Sequence, residues 1–446
     1  MHTLNPLAAE LNQQIRDTSP EVYALLSDLG KHIYLPKGIL SQSAEAIEKA
    51  SRYNATRAVA LAENEIMHLN VSHQFVPELT PETVYSYPPI LGNRELRTAW
   101  QNHIRIQNPL LTEATLSLPI VTSGMTHGFS LLADLFVNVG DTLILPDKIW
   151  GNYKLIFQTK AGANLQTYPF FNSDRCFNIR GLSDILSKHT GNKLLILLNF
   201  PHNPTGYAIT HAEAQQIRDT LVKHAKTGCR ILIMIDDAYA GFYYDDTVMQ
   251  ESLFGMFLNC HTNSIAVKID GATKEEYAWG LRVGFLTFGL AETVMKGIEG
   301  KVSGLIRANT SGASQISQTL ILQAMNAPEY TEQKQHNYEI LKARALKVKQ
   351  VATDKKYANL WEVYPNHAGY FTCLSLKSGN AEEVRQTLLE EHGIGTIALS
   401  ENEIRIAYSC LQESDIEVVF HKIAQVIRKW STQRSNQPNS QHCVLH

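Results

Sequence analysis

Cysteine is sparse in this chain of 446 residues and carries no pattern. The six cysteines (176, 229, 260, 373, 410 and 443) make neither a C-x-x-C pair nor framework spacing, which excludes a disulfide scaffold and suits a reducing compartment. Charge of one sign is also lacking. With 40 Lys+Arg against 43 Asp+Glu the net charge is −3, so nothing points to nucleic acid or an anionic membrane. No apolar run reaches membrane-spanning length. The opening "MHTLNPLAAELNQQIRDTSPEVYALLSDLG" carries Glu10, Asp17 and Glu21 and has no signal-peptide hydrophobic region. There is no internal repeat and no long linker. The first predicted strand is not followed by G-x-G-x-x-G, which removes a dinucleotide-binding reading. These absences leave a soluble globular protein, expected in the cytoplasm and long enough for a large domain with a smaller partner.

What is present, from about residue 115, is a series of short apolar runs alternating with helical patterns. "SLPIVTS" (117–123), "TLILPD" (142–147), "KLLILLNF" (193–200), "RILIMIDD" (230–237), "SIAVKID" (264–270) and "VGFLTFG" (283–289) read as strands. Continuous apolar runs of this length, separated by helices, predict an α/β fold with a mostly parallel sheet sandwiched by helices. After residue 313 the pattern changes to a long helical stretch broken at Ala327-Pro328, then short strands at 369–376, 393–399 and 403–409 and a closing amphipathic helix. This is a smaller α+β part. The polar tail "STQRSNQPNSQHCVLH" reads as disordered, and its His442-Cys443-x-x-His446 is assigned no metal.

In open α/β sheets ligands bind outside the carboxyl ends of the strands, and the unusual residues fall there. Gly124, Met125, Thr126 and Gly128 follow the first strand, Trp150 the second, Asn203 the next, Asp236 and Tyr239 the fourth, and Lys274 the fifth. Each has an ordinary explanation: a tight turn, a helix cap, core packing, a solvated lysine, or an Arg282 paired with Glu275 or Glu276. Their joint arrangement on successive strands points instead to a single crevice. A lysine in such a crevice can act covalently by condensing with an aldehyde, and pyridoxal 5′-phosphate is the common partner. Its phosphate needs a helix N-terminus and a fixed cation, which Gly124-Met125-Thr126 and Arg282 can provide. Asp236 suits its pyridine nitrogen, Asn203 and Tyr239 its phenolic oxygen, and Trp150 its ring face.

"GATKEEYAWGLRVG" (271–284), with eight residues from lysine to arginine, "HNPTG" (202–206), "DDAYAGF" (236–242) and "DKIWGNYK" (147–154) occur in an order that resembles the class I/II aminotransferases. These are fold-type-I pyridoxal phosphate enzymes of aspartate aminotransferase type, and the resemblance runs from about Tyr85 to Tyr408. It implies transamination between an L-amino acid, acidic or aromatic, and a 2-oxo acid such as 2-oxoglutarate. It also implies a homodimer in which Tyr87 reaches the partner's cofactor phosphate and Arg307 the partner's substrate, while Arg405 holds the substrate α-carboxylate as a bidentate pair. The implied division is 1–60 as N-terminal arm and small-domain segment, 61–325 as cofactor domain, 326–430 as small domain and 431–446 as tail. Four departures stand out: Gly271 where relatives have a serine or threonine, Met125 in the phosphate turn, Tyr277 at a small-residue position, and Thr310 followed by "SGAS". A β-lyase or decarboxylase on the same scaffold stays open.

Overall fold

A computed structural model describes residues 4–18, 31–32, 39–56, 59–62, 65–67, 69–71, 79–290 and 292–435. The chain divides into two compact units. The first comprises Met1–Pro36, Met67–Glu339 and His367–Gly369, and the second Lys37–Ile66, Ile340–Asn366 and Tyr370–His446.

The first unit is built on seven strands: β1 (Ile120–Thr122), β2 (Thr142–Pro146), β3 (Asn164–Tyr168), β4 (Lys193–Asn199), β5 (Arg230–Asp236), β6 (Ser264–Asp270) and β7 (Gly284–Phe288). Their order is β1-β7-β6-β5-β4-β2-β3, with every pair parallel except the two made by β7. Alternate residues of each strand go to opposite faces. Leu194, Ile196 and Leu198 join one core with Trp100 of α1 (Arg94–Gln107). Leu195 and Leu197 join another with Phe129 and Leu132 of α2 (Met125–Phe136). Both faces are covered, which is why these strands read as unbroken apolar runs rather than alternating ones. The helix α3 (His211–Ala225), after β4, is started by a capping box between Thr210 and Glu213.

The strand β3 escaped the sequence reading. "NLQTY" is partly exposed at the sheet edge and lacks an apolar run. The break at Ala327-Pro328 falls where expected, between the helix Gln315–Asn326 and α4 (Tyr330–Ala352).

In the second unit, β8 (Trp361–Val363), β9 (Phe371–Leu376), β10 (Ile397–Ser400) and β11 (Glu403–Ala407) form an antiparallel sheet in the order β8-β9-β11-β10. The N-terminal segment contributes Tyr53–Asn54, paired in parallel with Ile394–Gly395. The closing helix α5 (Glu413–Ser435) buries Ile416, Phe420, Ile423 and Ile427, an i, i+4, i+7, i+11 stripe. It runs on to Ser435, into the segment read as tail. His442, Cys443 and His446 lie outside the described residues.

Candidate active site

The carboxyl ends of β1, β2, β4, β5 and β6 converge on one edge of the first unit's sheet, and β7 starts from that same edge, with Gly284 opposite Thr122. Gly124 caps α2 with a φ of 80°, a conformation that L side chains rarely adopt. A Cβ added there would lie 2.4 Å from Nη2 of Arg282, so the guanidinium sits directly against the turn. The amides of Met125 and Thr126 precede the first helical hydrogen bonds of α2, which begin with the His127 amide donating to the Gly124 carbonyl at 3.1 Å. Met125 packs in the core, which accounts for a bulky residue in this turn. The turn is braced by the Ser123 amide, which donates to Nδ1 of His127 at 3.1 Å.

Gly271 has a steric reason. A Cβ at this position would lie 2.7 Å from the carbonyl oxygen of Val283 and 2.9 Å from Cα of Gly284. The strands β6 and β7 approach too closely for serine or threonine. Tyr277, the other oversized residue, has φ 53°, is buried, and meets Phe242 edge-on at 5.9 Å.

Asp236 ends β5 and is 3% exposed. Its Oδ2 accepts from the Tyr153 hydroxyl and its Oδ1 from the Ala238 amide. Burial raises its pKa to about 6; the two hydrogen bonds and nearby Lys274 pull the other way. Asn199, opposite Asp236 in register, donates to the Asp236 carbonyl at 2.9 Å and accepts from the Asn203 amide at 2.9 Å, tying the ends of β4 and β5 together. Trp150 stands edge-on to Tyr153 at 5.4 Å.

Lys274 is half-buried after β6, its amine 4.8 Å from the centroid of the Tyr239 ring. Burial lowers its pKa to about 8; Asp236 opposes the shift and Arg282 adds to it. Arg282, left-handed at φ 54°, donates to the Trp279 carbonyl. It is not the partner of Glu275 and Glu276, which turn to His103 and Lys334.

Gly124, Met125, Thr126, Trp150, Asn203, Asp236, Tyr239, Lys274 and Arg282 thus belong to one sheet edge or its connecting turns. Tyr87 and Arg307 lie in the same unit and are exposed, Tyr87 by 93%. Arg405 belongs to the second unit, on β11, buried over the Phe371 ring at 4.3 Å and donating to the Thr56 carbonyl. Tyr153 and Asn199 were not singled out in the sequence. Tyr153 follows Trp150 by three residues, a helical-turn spacing that could have marked it. Behind the edge, Lys268 bridges Asp237 and Asp270, and Asp237 also accepts from Ser252. The lone lysine inside "SIAVKID" was its only sequence signal.

Comparison with known proteins gives the same reading. Residues 49–423 match the family "Aminotransferase class I and II". The chain is 22% identical over 303 residues to the cytoplasmic aspartate aminotransferase of Saccharomyces cerevisiae, covering 64% of this chain and 69% of that one. It is 24% identical over 349 residues to a probable N-acetyl-LL-diaminopimelate aminotransferase of Bacillus subtilis, covering 75% and 79%. Among solved structures, an aminotransferase from Anaerococcus prevotii superposes with a TM-score of 0.79 at 24% identity, over 90% of this chain and 98% of that one. A family match that takes in every strand of the seven-stranded sheet and the turns at its edge leaves no other assignment: the chain belongs to the class I and II aminotransferases, enzymes that work with pyridoxal 5′-phosphate.

Proposed function

We propose that Lys274 is the covalent attachment point for pyridoxal 5′-phosphate and the base that moves a proton from the substrate α-carbon. The observation carrying this is the pairing of Lys274 and Asp236 at the ends of neighbouring strands, with the amine lowered to about 8 and the carboxyl raised to about 6. The residues fit the cofactor. The Gly124 turn, lying so close to the Arg282 guanidinium that a Cβ would collide with it, suits a phosphate. Asp236 suits the pyridine nitrogen, Asn203 and Tyr239 the phenolic oxygen, and Trp150 a ring face. When bound, the cofactor supplies an electron sink that makes the substrate α-hydrogen acidic.

The chain's own part is positional and acid–base. Near pH 7 about one Lys274 amine in ten is neutral and able to attack an aldehyde carbon. Displaced by an incoming amino group, that amine removes the α-proton and returns it to the cofactor side. Asp236, ionised once a cation faces it, keeps the ring nitrogen protonated. Arg405 would take the substrate α-carboxylate through two parallel N–H donors.

The reaction is then transamination between an L-amino acid, acidic or aromatic, and a 2-oxo acid, with 2-oxoglutarate the favoured acceptor. Arg307 and the aspartate specificity in the name of the yeast relative support the acidic choice. We further propose a homodimer in which Tyr87 and Arg307 serve the partner's site, and a cytoplasmic location, consistent with the free cysteines 176, 229, 260, 373 and 410. Among the described residues no helix is long and apolar enough to cross a membrane.

The test is an absorbance titration of the cofactor-loaded protein with a panel of amino acids. Bleaching of the yellow band by one donor, reversed by 2-oxoglutarate, is expected and names the donor. Release of pyruvate and ammonia without the pyridoxamine band would replace transamination by β-elimination. Absence of any band after added cofactor would remove Lys274 from the chemistry.

A further inference from the structure

Two carboxylates follow Lys274 directly, and both are buried: Glu275 is 5% exposed and Glu276 2%. Each is gripped by an i, i+4 pair on a different helix, all four residues lying in the first unit. On α1, His103 Nε2 and Gln107 Nε2 both contact Oε1 of Glu275 at 2.5 Å. On α4, the Tyr330 hydroxyl donates to Oε1 of Glu276 at 2.8 Å and Lys334 Nζ at 2.7 Å. The His103, Glu275 and Glu276 donor atoms lie within 4.8 Å of one another, a spacing that could gather a metal ion. Here the Lys334 ammonium already supplies the cation, 3.8 Å from Glu275 as well. Burial alone would raise the Glu275 carboxyl, but His103 and Lys334 outweigh it and hold it below its usual range.

The backbone closes on itself around Lys274, whose carbonyl accepts from the Tyr277 amide at 3.0 Å. Its helix is the four residues Ala272–Glu275, too short to stand alone, and Tyr277 just beyond is left-handed. If the segment needed only stability, apolar side chains would fill these positions at lower cost than two buried ion pairs. Displacing a reacting group by about 1 Å can cost about a hundredfold in rate. We propose that Glu276, clamped by Tyr330 and Lys334, is a positioning residue for Lys274, the second half of a two-helix grip that sets where the amine sits. This rests on the assignment of Lys274 as cofactor lysine.

The experiment compares wild type, Glu276→Gln, the double variant Glu276→Gln/Lys334→Met and Tyr330→Phe, each loaded with pyridoxal 5′-phosphate. Four quantities are read: melting temperature, kcat, KM, and the rate at which borohydride traps the lysine–cofactor linkage, located by peptide mass. Glu276→Gln should lower kcat and trapping rate together by about tenfold while KM moves less than about twofold. The double variant should regain melting temperature, because it removes the ammonium that Glu276→Gln leaves with only the more distant Glu275, at 3.8 Å, yet should not regain kcat or trapping rate. Should Glu276→Gln fail to fold, Tyr330→Phe carries the test, with about a threefold loss in both rates expected. Wild-type rates in Glu276→Gln or Tyr330→Phe, or recovery of rate along with stability in the double variant, would overturn the inference and leave the clamp structural. A wild-type protein that traps no cofactor at Lys274 would instead overturn the lysine assignment itself.

Discussion

Asp236 is held between opposing influences, and Tyr153 is the neighbour most open to test. The cofactor-free folded chain holds this proton up to about pH 6, against 3.8 for an ordinary aspartate. The folded form therefore binds it more tightly than the unfolded one, and the stability it contributes is full below about pH 4 and lost as pH rises through about 6. Tyr153→Phe removes a donor that favours the ionised form. A hydrogen bond to a charge is worth about 1.5–3 kcal/mol, so the midpoint should rise by about one pH unit or more. Urea midpoints of the apo protein from pH 4 to 8 check this; an unmoved midpoint would uncouple the hydroxyl from the carboxyl. Lys274 gives the complementary expectation. With a pKa of about 8, its rate of cofactor capture should rise nearly tenfold per pH unit from pH 6 to 7 and level off above 8, as stopped-flow absorbance would show. A pH-independent rate would mean that amine ionisation does not limit loading. Asp236→Ala should cost far more turnover than cofactor affinity, and near-normal kcat would remove the carboxylate from the electron sink.

At the scale of elements, the close approach of the end of β6 to the start of β7 is the informative place. Gly271→Ser introduces the residue type that the resemblance implies at this position, yet its Cβ would meet backbone at 2.7 and 2.9 Å, where no flexible side-chain end can yield. Overpacking of this kind costs about 1–3 kcal/mol. The variant should melt earlier and bind the cofactor no more tightly, measured by thermal unfolding and equilibrium dialysis. Tighter binding at unchanged stability would show that the strands can move apart. Such a departure was legible in the sequence only as an anomaly, because interstrand spacing leaves no mark on composition or periodicity. The apolar strands and their terminal residues were legible for a physical reason: strands buried on both faces are continuous runs, and chemistry collects at their carboxyl ends. The edge strand β3, half wet, gave no such run, and nothing in the sequence marked Tyr153 or Asn199 as partners of Asp236.

For the whole molecule, shared active sites in a homodimer would explain two tyrosines, Tyr85 and Tyr87, that are 83% and 93% exposed in the single chain. Large aromatics at that exposure suit an interface better than open water. Tyr87 was matched through a motif and not through any periodicity, since one chain's pattern cannot say which subunit a side chain serves. Mixing two defective chains decides it. A Lys274→Ala chain lacks the attachment point, and a Tyr87→Ala chain should lose most of its affinity for the cofactor phosphate. If Tyr87 acts across the interface, a heterodimer of the two has one site missing both residues and one site with both intact. Co-expression followed by tandem affinity purification should then give about half the wild-type kcat per dimer, with wild-type cofactor affinity at that one site. If Tyr87 serves its own chain, every site in the heterodimer carries a defect and nothing is recovered. Recovery at the half level in the heterodimer, with each parent homodimer defective alone, is the result that only a composite site can produce.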